Sequence, residues 1–475
     1  AEGFITPDDV QKKRAFFIAN YEAWSMASAP FYDTYAAANA RLVRGERIYF
    51  DPFLESRPFR SSESSRSKRV RYPKIGIYTG TGSSHSWLWF VDLFDRMGFH
   101  DLYLLDAAAI QNQNLEFLDV LTVSGGDTFA IAQALGSAGA RRLRTFIENG
   151  GLYIGSCAGA YLVMRSSKPH LNLFNFTAVR ITNLSKWLPA CRGLAHKFSQ
   201  AYGCDYIFHP VRDAVTIEPT GQAPFWGTRL LDAPLFGGPG MIPSDADRIL
   251  ARYKAFTGRT QYLVDETIAR ETLLGKAAVI RASMGKGHLY LLGPHFEHPH
   301  FQAANQLVAD AIFWDGGRVN RDICQAQKDI PPLAATASQN LLKTLKRELS
   351  NARIVAVGME MMPVRWLIGS KYYDPQKIRV FLDAMWHRIK LLEKNGVLRT
   401  EPDLVVKLSA NAEKTTALLR ELKHRLDDAA DTASLARDIF KRLSEFTTAF
   451  LGLYFQSIGD LHDLSEDSTG ERHLN

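Results

Sequence analysis

Between residues 72 and 316 the chain alternates two hydrophobic periods. Short apolar runs at 74–78, 101–105, 118–123 and 151–154 have the near-continuous hydrophobicity of strands covered on both faces. Trp87–Met97 and Ile131–Ile147 instead repeat their apolar residues at helical spacing. This alternation predicts an α/β fold, a parallel sheet with right-handed crossovers. Three predicted strands end in small-residue loops: Thr79-Gly-Thr-Gly-Ser-Ser84, Ser124-Gly-Gly-Asp127 and Gly155-Ser-Cys-Ala-Gly159. Ligands of open α/β sheets bind beyond the carboxyl ends of strands, so the three loops are expected to share one crevice.

From about 205 to 300 the pattern is more β-like and broken by turns such as Phe236-Gly-Gly-Pro-Gly240. Ala277–Ala282 and His288–Leu292 read as late strands, and Ala303–Trp314 as a closing helix. After Pro331-Pro332 the chain reads as helical, with heptad-like stretches around Leu341–Leu349 and Leu418–Leu443. Residues 1–56 read as helices rich in aromatic residues and alanine, with Thr6 capping a start at Pro7. The Ser/Arg run from Ser61 to Lys68 reads as a linker. The expected domains are 1–70, a helical segment with a basic linker; 71–320, the α/β domain; and 321–475, a helical domain.

Composition narrows the class. With 46% hydrophobic and 11% aromatic residues over 475 positions, the chain can bury a large core, which excludes a disordered scaffold. No apolar run approaches the ~18 residues of a membrane span. Part of the net charge of +7 lies in Arg57, Arg60, Arg66, Lys68, Arg69 and Arg71. That run lacks stacking aromatics, so it reads as a solvated stretch and nucleic acid is not an expected partner. The four cysteines show no C-x-x-C spacing, and neither a zinc site nor a Cys191–Cys204 bridge is expected. Cytoplasm is the expected compartment; Ala1 in place of Met leaves an exported mature chain as the alternative.

Gly151-Leu-Tyr-Ile-Gly-Ser-Cys157-Ala-Gly159 is the segment richest in chemistry. A strand enters a tight turn with one nucleophile at its apex and leaves as a helix, which is the G-x-C-x-G form of a nucleophile elbow. The helix start favours the thiolate, and backbone N–H groups such as that of Ala158 can face an oxyanion. His295 and Glu297 follow the last strong strand. Two apart on an extended segment, they are expected to point the same way, with histidine as base and glutamate as its orienter. The nearby His298 and His300 raise a metal site as an alternative, disfavoured because no partner ligands have the spacing.

Together these segments resemble the class I glutamine amidotransferase-like family, most closely the amidotransferase-like N-terminal domain of biotin–protein ligases. The resemblance rests on Ile77-Tyr-Thr-Gly-Thr-Gly-Ser-Ser84, Ser124-Gly-Gly-Asp127, Glu148–Tyr161, Phe236-Gly-Gly-Pro239 and Gly285–Glu297, and covers roughly residues 72–316. It implies a flavodoxin-like sheet flanked by helices, with Cys157 as nucleophile, His295 as general base and acid, and Glu297 as orienter. Gly126 and Ala158 would supply oxyanion N–H groups. Gly82, Ser83, Ser84, Gly125, Asp127, Tyr161 and Gly238 would line the substrate pocket, with Asp127 first of all a helix cap. A carboxamide or related acyl carbon would be attacked to give a thioester, with no cofactor and no metal. Two positions depart from the pattern. Tyr161 stands where glutaminases commonly carry glutamine, and His295-Phe296-Glu297 replaces histidine-proline-glutamate, which puts glutamine in doubt as the substrate. The expected partner is a small-molecule substrate, with the C-terminal helices available for a homo-oligomer or protein contact. The alternative is a degenerate member of the family serving as a binding or assembly module.

Overall fold

Proline 30 pre-sets the helical φ of its own position and opens helix α1 (Pro30–Val43). Three two-residue strands follow, β1 (Tyr49–Phe50), β2 (Phe59–Arg60) and β3 (Lys68–Arg69), antiparallel with β1 in the middle. The structure, a computed structural model, describes residues 30–54, 57–113, 115–183, 209–223, 225–316, 332–369, 371–395 and 398–459. The expected helices before residue 30 and the Cys191–Cys204 question lie outside the described residues. Two expectations are corrected. The helical reading of 1–56 stops at Val43, and the Ser61–Lys68 run leads from β2 into β3, each paired with β1, instead of forming a linker. The reason is aromatic burial: Phe50 and Phe59 pack on Phe313 with ring centroids 5.8 and 5.0 Å apart. Lys68 Nζ also donates to Trp314 O at 2.6 Å. Residues from Phe31 onward therefore fold in one compact unit with the α/β domain.

The apolar runs pair as expected. Strands β4 (Ile75–Tyr78), β5 (Leu102–Leu105), β6 (Val120–Val123) and β7 (Leu152–Ser156) lie in parallel order β5-β4-β6-β7. Between them run α2 (Trp87–Arg96), α3 (Ala107–Asn112) and α4 (Thr128–Glu148), and α5 (Ala158–Val163) follows β7. Strand β4 has β5 on one side and β6 on the other, so the loops after β4 and β6 leave in opposite directions and open a crevice between them. Beyond the first β-like turns, β8 (Arg180–Ile181), β9 (Val211–Pro219), β10 (Leu231–Leu235), β11 (Met241–Ile242), β12 (Arg248–Phe256) and β13 (Gln261–Tyr262) form, with α6 (Glu266–Leu273) after them. Then β14 (Ala277–Met284) turns at Gly285 (φ 58°) into β15 (Gly287–Leu292), which joins β7 in parallel. Antiparallel β14, β12, β9 and β10 extend the sheet outward from β15.

Alternation along these strands builds two layers. Leu121, Val123, Tyr153, Leu289 and Leu291 face α3, α4 and α5 in one apolar cluster. On the opposite face, Ile154, Val279, Tyr290 and Leu292 meet Leu307, Val308 and Ala311 of helix α7 (Gln302–Asp315). Two phenols fasten α1 to α7: Tyr32 Oη donates to Asn305 Oδ1 at 2.6 Å, and Tyr35 Oη donates to Asp310. Burial pushes the Asp310 carboxyl up to about 8. An unfolded aspartate ionises near ~4, so stability falls as pH rises through the window from about 4 to 8. Asp310→Asn keeps an acceptor for Tyr35 without the ionisation. It should raise the unfolding free energy at pH 8 by about 1–3 kcal/mol and leave it nearly unchanged at pH 4. Equal shifts at both pH values would contradict the assignment.

The second unit takes the described residues 332–368 and those from Tyr372 on. Its helices are α8 (Ala335–Met359), α9 (Pro375–Asn395), α10 (Pro402–Asp427) and α11 (Ala433–Gly459). Both α8 and α11 pack against α9 and α10, and Leu345, Leu382, Leu419 and Leu443 are fully buried. The heptad-like stretch 418–443 is two helices, not one, because the chain turns at Ala429 (φ 54°). Among the described residues no helix is long and apolar enough to cross a membrane.

Candidate active site

The corner after β7 places Cys157. Its φ of 49° and ψ of −105° lie in a region that non-glycine residues seldom occupy. The corner is held by Cys157 N donating to Leu292 O (2.9 Å), Gly159 N to Ser124 O (3.2 Å) and Tyr161 N to Cys157 O (3.0 Å). A Cβ on Gly155 would sit 2.4 Å from Gly159 O, and one on Gly159 would sit 1.9 Å from Val123 O. Both glycines are therefore required by close backbone approach. Helix α5 has only 6 residues, so the dipole support expected for the thiolate is small beside that of the neighbouring imidazole.

That imidazole is His295. Its Nδ1–H donates to Glu297 Oε1 at 2.7 Å, and it is a hydrogen-bonding partner of the Cys157 thiol. The pair does not lie on an extended segment as expected: residues 296–297 form a turn, with His298 N donating to His295 O at 3.2 Å. The turn brings the two side chains together where strand alternation had been the anticipated cause. Cys157, His295 and Glu297 are 4%, 3% and 0% exposed. Burial disfavours the histidine cation, but the Glu297 charge and the Cys157 contact outweigh it and hold the imidazole pKa above its ordinary value. Burial likewise pushes the thiol up, and the His295 hydrogen bond and charge bring it below its ordinary value. The two shifts favour a thiolate–imidazolium pair.

Sequence reasoning missed the surroundings of Glu297. Ser124 Oγ donates to Glu297 Oε1 at 2.8 Å and Ser156 Oγ donates at 2.6 Å. Ser86 Oγ lies 2.7 Å from Ser124 Oγ, and Ser84 Oγ 2.8 Å from Ser86. The available signal was positional: Ser124 directly follows β6 and Ser156 ends β7, so both stand at the carboxyl ends of strands beside the candidate nucleophile. Trp89 and Phe236 were also missed. Their rings stand 5.3 and 5.9 Å from His295, and His298 stands 4.4 Å from Trp89. Burial keeps His298 neutral, with its pKa well below the ordinary value.

The glycine-rich loops converge here. A Cβ on Gly125 would fall 2.6 Å from His295 Cε1, and one on Gly126 would fall 2.0 Å from Gly82 O. Gly82 O accepts from Asp127 N at 2.8 Å. Among the described residues, the N–H groups of Gly126 and Ala158 take no part in the turn hydrogen bonds that fix these loops. Ser84 N and Oγ both donate to Gly125 O (2.9 and 3.0 Å), while the Ser83 hydroxyl closes its own turn on Gly80 O (2.7 Å). Asp127 Oδ1 accepts from Phe129 N and Ala130 N, as a helix cap does. Tyr161 Oη donates to Gly237 O at 3.2 Å, and Asn183 Nδ2 donates to Tyr161 Oη at 3.3 Å. Gly238 packs so tightly on Gly293 that a Cβ would lie 1.7 Å from its carbonyl oxygen. Phe236 O lies 3.8 Å from Cys157 Sγ.

Residues 74–314, about half of the chain, match the family model described as biotin–protein ligase, N terminal. Among solved structures the chain is similar to a glutamine amidotransferase (16% identity, 50% of this chain and 99% of that one, TM-score 0.31). It is similar also to a glutamine amidotransferase from Thermotoga maritima (9% identity, 50% and 84%, TM-score 0.31). A β-galactosidase from Rahnella sp. R3 matches at 12% identity over 53% of this chain and 32% of that one, with a TM-score of 0.28. No curated protein matches the chain.

Proposed function

The chain belongs to the biotin–protein ligase N-terminal family, and from that premise we propose that it is a cysteine-dependent, amidotransferase-like hydrolase of a small amide or acyl substrate. The observation that carries this reading is the buried chain of contacts from Cys157 through His295 to Glu297. The Cys157 thiolate attacks the substrate carbonyl carbon, and the carbonyl electron pair moves to oxygen. The N–H groups of Gly126 and Ala158 are the candidate donors to that oxyanion. Collapse of the tetrahedral intermediate breaks the bond to the leaving group, which takes a proton from the His295 imidazolium, and a thioester remains. Neutral His295 then accepts a proton from water as its oxygen attacks the thioester, which releases the carboxylic acid and restores the pair. Glu297 fixes the imidazole orientation throughout.

Tyr161 argues for a substrate other than glutamine, because its hydroxyl already binds the Gly237 carbonyl and Asn183. The same observation favours the second reading, a degenerate member that binds a ligand without turning it over. Incubation with a panel of small amides and activated esters, followed by mass spectrometry of the intact protein, separates the two. An acyl adduct confined to Cys157, and lost with turnover in Cys157→Ala, is the expected result. Turnover that persists in Cys157→Ala would eliminate the thioester mechanism.

A further inference from the structure

The turn that carries His295 and Glu297 is held by an asparagine whose orientation is set from outside the family-matched region. Asn305, on α7 and 1% exposed, donates from Nδ2 to Phe296 O at 2.6 Å and to His298 O at 3.0 Å. These carbonyls flank Glu297 on both sides. An amide serves this purpose in only one of its two orientations, since the flipped form would set Oδ1 against two carbonyl oxygens. Tyr32 decides the orientation: its hydroxyl donates to Asn305 Oδ1 at 2.6 Å. Tyr32 belongs to α1, and the family match begins only at residue 74. We propose that Tyr32 and Asn305 are positioning residues, through which helix α1 sets the turn that places Glu297 against His295. The inference rests on reading His295 and Glu297 as a working pair, and its first readout is independent of thiol activation.

The molecule supplies its own control. Tyr35 also bridges α1 to α7 through its hydroxyl and is as buried as Tyr32, but its partner Asp310 does not hold the turn. A merely structural role predicts that Tyr32→Phe and Tyr35→Phe behave alike. The positioning role predicts that only Tyr32→Phe and Asn305→Ala disturb the pair. The first readout is the downfield proton resonance of His295 Nδ1–H, assigned by its loss in His295→Ala. It should shift or broaden in Tyr32→Phe and Asn305→Ala and stay in place in Tyr35→Phe. The second is Cys157 alkylation by iodoacetamide at pH 7, expected to slow by about 3- to 10-fold in Tyr32→Phe, and further in Asn305→Ala. Melting temperatures measured alongside show whether the Tyr32 and Tyr35 variants are equally destabilised. An unmoved resonance in Tyr32→Phe, the same response in both phenylalanine variants, or no Nδ1–H resonance in the parent protein would each overturn the proposal. A resonance that moves as expected over a thiol that is unreactive in the parent would uphold it and defeat the hydrolase reading instead.

Discussion

Replacing His295 by alanine is expected to slow alkylation of Cys157 at pH 6.5 by at least about tenfold. The thiol is subject to opposing influences. Burial raises its pKa and the Glu297 charge raises it further, while the hydrogen bond and charge of His295, joined by the smaller effect of the Lys371 charge, bring it below its ordinary value. Removing the imidazole takes away the two largest influences that favour the thiolate and leaves burial and the Glu297 charge against the smaller effect of the Lys371 charge, because Ser124 and Ser156 still hold the Glu297 carboxylate in place. In the parent protein the rate should therefore stay high down to a thiol pKa below the ordinary value and fall only beneath it. In His295→Ala it should climb only above the free-thiol value of ~8.5. Iodoacetamide labelling across pH 5–9, with the Cys157 peptide quantified by mass spectrometry, gives both profiles. A parent profile that coincides with that of the variant would show that His295 does not activate the thiol.

The core of this architecture was legible because its strands obey one rule. Residues 75–78, 120–123 and 152–156 are buried at every position, so each reads as a near-continuous apolar run leading into a small-residue loop. The antiparallel extension was legible only in class. Strand β9 buries its residues irregularly, and β12 shifts register against β14 between Ile249 and Arg252 and against β9 between Tyr253 and Ala255. Each bulge moves the following side chains to the other face and erases the period of two. The sheet β1–β3 left no trace, since two residues cannot show a period and its stability comes from Phe313, more than 240 positions away.

The candidate site divides along the same line. Cys157, His295 and Glu297 could be found because their residue types are scarce and their chemistry needs a fixed order along the chain. The serines that donate to Glu297 come from the ends of two separate strands, and a serine there is ordinary until the fold brings it to a carboxylate. Tyr32 and Asn305 were beyond reach for the opposite reason. Each is an unexceptional residue on a helix, and only the packing of α1 on α7 turns them toward the Phe296–His298 carbonyls.

Glycine-to-alanine substitutions should have opposite signs in the two units. At Gly159 an added methyl would stand 1.9 Å from Val123 O and 2.7 Å from Val123 C, both backbone atoms of a central strand. No side chain can rotate to make room, so either α5 must lift from the sheet or β6 must shift. Either movement strains the Gly159 N–Ser124 O bond and displaces the corner that holds Cys157. Gly159→Ala is expected to lower stability by about 3 kcal/mol or more, or to prevent soluble expression. Gly452, inside α11, has no atom within 4 Å of a built Cβ. There the methyl meets nothing, and the gain in helix propensity should stabilise the helical unit by about 0.5–1 kcal/mol. Urea denaturation followed by circular dichroism measures both. A Gly159→Ala protein as stable as the parent would mean that α5 does not pack on β6 as closely as its backbone contacts require, and the fixed geometry at Cys157 would fall with it.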